Sequence, residues 1–206
     1  MSRVQPETGK PLIDHVERFL GPISKGWKND HAGVALPYAV MLFEATPFRD
    51  AVAFVTLGLS NFPMGKSSDG KPIRLELMVL ARKGAGLPVP DALQRISNEM
   101  LARKKPVLRG EVIGPFGPLW DGTQLEAFYV TAPAYLPDEF ATVDLKIGAT
   151  AILAWLVPIT RAEADRVREV GWSQFEDELV AVDPDLLDPY RSSFVSAGSS
   201  GPTPIK

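Results

Sequence analysis

The stretch Ala51-Val-Ala-Phe-Val-Thr-Leu-Gly-Leu59 constrains the fold more than any other part of the chain. It is apolar at odd and even positions alike, so a strand built from it must be covered on both faces. It belongs in the middle of a sheet. Residues 36–45 predict a second strand. Residues 60–72 are rich in Gly, Ser, Pro, Asn and Asp and predict a loop. A third strand follows at 73–81, where Ile73, Leu75, Leu77 and Val79 point one way and Arg74 and Glu76 the other. Further strands are expected at about 125–131, 142–147 and 150–157.

Helices are punctuated by their ends. Residues 11–20 start with Pro11 at the first helical position, place Leu12, Ile13, Val16 and Phe19 on one face, and stop at Gly21-Pro22. Residues 90–105 carry a Leu93, Ile96, Met100, Leu101 stripe, finish on Arg103-Lys-Lys105 and stop at Pro106. Thr160 with Glu163, and Ser173 with Glu176, each fit a capping box, and Gly171 between them predicts a break. Asp183-Pro184 predicts the cap of a last helical turn. The Gly/Pro-rich segment 107–123 predicts a long loop or irregular hairpin with Trp120 as its exposed contact residue. Strands come in runs rather than alternating with helices. The expected class is therefore α+β: one domain over 11–195, a mixed or mostly antiparallel central sheet flanked by helices, and a mobile tail at 196–206.

Composition excludes several kinds of chemistry. There is no cysteine and there are two histidines, which removes disulfide frameworks, thiol catalysis and multi-histidine metal sites. The net charge of −3 argues against nucleic-acid binding by the whole surface. Residues 62–110 nevertheless hold ten basic and four acidic residues, and 111–206 six basic and fifteen acidic. The N-terminus lacks an uninterrupted apolar segment, and no run approaches the roughly 20 residues of a membrane span. A cytoplasmic location, no membrane partner and no cofactor are expected.

Three motifs come close to catalytic or cofactor patterns. Ser60-Asn-Phe-Pro-Met-Gly-Lys66-Ser67 lacks the first glycine of a phosphate loop and leads into a strand. Gly58-Leu-Ser60-Asn-Phe62 puts phenylalanine where a nucleophile elbow needs a second glycine. Gly84-Ala-Gly86 lacks the rest of a dinucleotide fingerprint. A hydrolase or nucleotide-handling enzyme using Ser60, Lys66 and either His15 or His31 stays open as an alternative, as does an adaptor that binds a peptide strand by edge addition.

Several segments resemble the suppressor of fused (SUFU) domain family in order and spacing from about residue 13 to 180. They are Thr56-Leu-Gly-Leu-Ser60, Arg74-Leu-Glu-Leu77, the helix at 90–105, Gly110-Glu-Val-Ile113, Val157-Pro-Ile-Thr160 with Glu163, and Gly171 followed by Phe175-Glu176. Leu59 departs from the methionine of many members, and 112–118 does not align. The resemblance implies a non-enzymatic protein-binding module. Its size and lack of cysteine are similar to stand-alone bacterial members that act as immunity proteins and occlude a cognate toxin. The acidic half then suggests a basic, nuclease-type toxin, met by Glu169, Glu176, Asp177, Glu178, Asp183 and Asp185, with Trp120 as an aromatic anchor. Gly58, Ser60, Arg74, Glu76, Thr160 and Glu163 are expected to hold the fold.

Overall fold

The computed structural model describes residues 9–145 and 148–195. The expected tail at 196–206 and the end of the strand expected at 142–147 lie outside the described residues. The chain opens with helix α1 (Gly9–Leu20), followed by β1 (Ile23–Asn29), β2 (Ala35–Glu44) and β3 (Ala51–Leu57). Next come β4 (Leu75–Arg82), α2 (Val89–Arg103), β5 (Val112–Ile113) and β6 (Leu125–Thr131). The last elements are β7 (Thr142–Leu145), β8 (Ala149–Thr160) and α3 (Arg161–Val182).

The strands form one sheet in the order β1-β2-β3-β4-β8-β6-β5, with β7 also on β8. Every pairing is antiparallel except that of β4 with β8. Ile152 pairs with both Leu75 of β4 and Thr142 of β7, so β7 occupies the same edge of β8 as β6, end to end. The class is α+β with a mixed central sheet flanked by helices.

The two-sided strand has the cover its sequence demands. All seven residues of β3 are buried. On one face Ala53, Val55 and Leu57 pack with Leu12 and Val16 of α1 and Val167 and Phe175 of α3. On the other, Val52 and Phe54 pack with Leu93, Ile96 and Met100 of α2. Each fully buried Leu, Val or Phe side chain contributes about 1.5–3 kcal/mol, so the two cores fix the layer order.

Three local expectations change. Strand β1 was not expected, because its Ser24, Lys25, Gly26, Lys28 and Asn29 are exposed and its register slips twice against β2. A polar, bulged edge strand lacks alternation to read. In α3, Gly171 does break the helix, with φ 81°. The Ser173–Glu176 box does not follow it. Glu176 Oε1 instead accepts from the hydroxyls of Tyr129 and Thr131, both at 2.8 Å, and its carboxylate pairs with Arg109. Asp183 closes α3 in a left-handed conformation (φ 47°) rather than starting a new turn.

The first capping box is present and has a second job. Thr160 Oγ1 accepts from the Glu163 N–H at 3.2 Å, and Glu163 Oε2 accepts from the Thr160 N–H at 2.9 Å. The same carboxylate is fully buried and takes both arms of the Arg191 guanidinium at 2.6 and 2.7 Å. The Phe194 N–H adds a bond at 3.0 Å. The chain beyond α3 is thus strapped back onto the start of α3. Removing one partner would leave a buried charge unpaired. Glu163→Ala should therefore cost about 3–5 kcal/mol, read as a lower urea midpoint at unchanged slope. Glu163→Leu combined with Arg191→Met should recover part of that loss. A double variant no more stable than Glu163→Ala would show that the strap does not work through charge pairing.

Candidate functional site

At the end of β3 the chain turns through a single 3-10 turn, Leu59–Asn61, before the loop that leads to β4. Gly58 enters the turn with φ 103°, in the left-handed region that favours glycine.

Glu76 of β4 holds this turn from inside. Its carboxylate is fully buried. It accepts from the backbone N–H groups of Gly58 at 2.9 Å, Leu59 at 3.3 Å and Ser60 at 3.0 Å. The Thr56 hydroxyl donates to it at 2.6 Å while accepting from the Leu77 N–H at 2.8 Å. Arg74 closes the outside, donating to the carbonyls of Ser60 at 2.7 Å and Asn61 at 3.2 Å. Successive N–H groups converging on an anion satisfy donors the turn would otherwise bury unpaired. Burial disfavours the charged form and outweighs these bonds, pushing the Glu76 carboxyl up to about 7.

The turn forms part of the wall of a cleft of about 960 Å³. Its other sides come from Leu12 and Ile13 of α1, Leu36, Ala39 and Met41 of β2, and Leu57 of β3. Gly58 and Asn61 of the turn contribute to the wall, and Lys10 and Lys28 are among the lining residues. A concave site of this size, mostly apolar with a few polar groups, suits a bound ligand or protein segment.

The expected partner-binding residues are not gathered there. Trp120 is corrected from exposed to buried, at 6% exposure, edge-to-face against Phe128. Glu176 is turned inward, as described above. Glu178 and Glu169 both pair with Arg166, and Asp185 pairs with Arg82. Asp177 and Asp183 are exposed. Thr160 and Glu163 make the strap. The exposed tryptophan is Trp172, stacked under the Arg109 guanidinium at 4.8 Å.

The catalytic alternative is not assembled either. Ser60 is fully buried, His15 bonds the Phe140 carbonyl at 3.2 Å, and His31 lies 3.1 Å from Asp91. Among the described residues, no hydrogen bond joins Ser60 to a histidine, and no group of three or more His, Asp or Glu could hold a metal. No helix among the described residues is long and apolar enough to cross a membrane.

The Glu76 carboxyl has a readable pH signature. Between its ordinary pKa of 4.5 and about 7 the folded chain keeps a proton that the unfolded chain has released. The contribution of this group is therefore greatest at low pH and falls by roughly 3 kcal/mol as pH rises through that window. The side-chain carboxyl carbon of Glu76 should titrate near 7 by NMR; a midpoint near 4.5 would contradict the balance described. Glu76→Gln places an amide N–H₂ among three N–H donors and should lower stability by about 1–3 kcal/mol.

The family model described as suppressor of fused protein (SUFU) matches residues 35–192. No curated protein matches the chain by sequence. Among solved structures, a SUFU homologue from Neisseria gonorrhoeae FA 1090 superposes with a TM-score of 0.72 at 16% identity, covering 93% of this chain and 99% of that one. A chain of the Sufu–Fu complex gives 0.69 at 13% identity, covering 91% and 92%. Drosophila Suppressor of Fused gives 0.67 at 13% identity; the match covers 91% of this chain but 51% of the fly protein. A likeness at these identities speaks to architecture, and the sequence match over 35–192 speaks to descent: the chain belongs to the suppressor of fused family.

Proposed function

We propose that this chain is a protein-binding module that acts by occlusion, without a chemical step, and that its use is to neutralise a cognate toxin. The observation that carries the reading is the open cleft beside the Gly58–Asn61 turn, with a wall fixed from within by Glu76. A pre-shaped concave surface binds without paying to order itself. Two comparisons support it. One similar chain was crystallised in the Sufu–Fu complex. The Neisseria homologue is matched over 99% of its length.

A basic, nuclease-type toxin is the partner proposed for the acidic C-terminal half. With Glu176, Glu178 and Asp185 engaged by Arg109, Arg166 and Arg82, the acids most open to such a partner are Asp177, Asp183 and Glu169, whose pair with Arg166 leaves its side chain 71% exposed. Rim charges act mainly on association rate.

Co-expression with the product of the adjacent gene should rescue growth if that product is a toxin. Thermal-shift screening with nucleotides and divalent metals should give no strong shift; a large one with a phosphate ligand would favour an enzyme. Once the partner is in hand, reversing Glu169, Asp177 and Asp183 to lysine together should slow association at least tenfold at low salt. An unchanged on-rate would remove the electrostatic part of the proposal.

A further inference from the structure

The charge around the cleft has the opposite sign to the acidic half of the chain. The charged residues lining it are Lys10 at the start of α1 and Lys28 on β1. Both are exposed, and among the described residues neither forms an ion pair. Most of the other lining residues are apolar: Ile13 is 36% exposed, and Leu36 and Met41 are half-buried. The cleft thus offers two cations beside apolar surface.

From this we infer that the cleft receives a protein segment whose apolar side chains fill it and whose carboxylates pair with Lys10 and Lys28. The inference rests on the protein-binding reading and adds the chemistry of the partner at this site. A carboxylate meeting either lysine at the lip is only partly desolvated, so it contributes through charge assistance and register, while the apolar contact supplies most of the affinity. The wall is built to stay in place during binding. Gly58 and Asn61 are carried by the turn that Glu76 and Arg74 hold, so a segment entering the cleft meets a fixed surface. Gly26, opposite, has the Met41 thioether where a Cβ would sit, at 2.5 Å. Met41 therefore lies across β1, and its flexible side chain can adjust to what enters.

A random dodecapeptide library displayed on phage, panned against the full chain, is the probe. The expected result is enrichment of peptides that combine carboxylates with two or more large apolar residues. Their affinity, measured by fluorescence anisotropy, should fall at least tenfold in the Lys10→Glu, Lys28→Glu double variant and at least tenfold in Ile13→Asp. All three substitutions are at exposed positions and should leave the thermal midpoint unchanged. The double variant should in turn prefer lysine-bearing apolar peptides. No enrichment, enrichment blind to charge, or full binding by both variants would overturn the inference. So would a tenfold gain in affinity on deleting residues 1–8, which would make the chain's own N-terminal segment the occupant. A concentration-dependent dimer abolished by Ile13→Asp would assign the cleft to a second copy and overturn it equally. If the cleft variants bind peptides normally but the natural partner is still held, the module stands and this assignment alone fails.

Discussion

A carboxyl group with no ion-pair partner among the described residues, buried where three backbone N–H groups converge, is the constraint on which this end of the molecule depends. Glu76 sits in a strand whose other side chains, up to Ala81, are apolar and buried. Burying a charged or polar group there is costly unless it is hydrogen-bonded. The structure meets that cost with donors that themselves need an acceptor: the first N–H groups of a 3-10 turn and the Thr56 hydroxyl. Each side satisfies the other, so the end of β3 and the start of β4 are fixed by one set of bonds. The turn then has a single position, and so does the wall of the cleft.

The same device recurs at the other end of the sheet with a different outcome. Glu163 is buried too, but it faces Arg191 and remains a bidentate ion pair. One carboxylate ties neighbouring strands through backbone donors; the other ties two segments 28 residues apart through a guanidinium. Between them lies the long strand β8, which takes β4 on one edge and β6 and β7 on the other. Parallel pairing of β4 with β8 places the turn held by Glu76 and the strap held by Glu163 toward opposite ends of the β4–β8 ladder.

Much of this was legible. The apolar run at 51–59 demanded two covering layers and has them. Thr160 and Glu163, three apart, announced a helix start that the structure contains. The limits of reading are equally specific. Arg74 and Glu76 alternate with apolar residues, which reads as a polar strand face pairing with neighbouring strands; in fact the face is roofed by a turn from the preceding loop, a tertiary fact that spacing does not record. A usable signal was present in Gly58 at the end of an apolar strand with a lone acid in the next. Trp120 read as exposed because glycine and proline surround it, yet that loop folds inward onto Phe128. The acidic run on α3 read as a free surface because spacing does not show that Arg166 of the same helix takes Glu169 and Glu178, or that Arg109, 67 positions from Glu176, takes Glu176.

That last point changes what the charge asymmetry means. A surplus of acids in one half and of bases in the other need not produce two oppositely charged faces when the chain folds the halves together. Here Arg82 and Arg109 from the basic half are spent on Asp185 and Glu176 from the acidic half. What remains available is set by which charges the fold leaves unpaired, not by the totals. Lys10 and Lys28 come from neither biased half, yet they stand at the mouth of a large apolar cleft with no acid among its lining residues. For a protein that works by contact, unpaired charge beside accessible apolar surface is a better guide to the partner than net charge, because such groups can gain a partner on binding without first losing one.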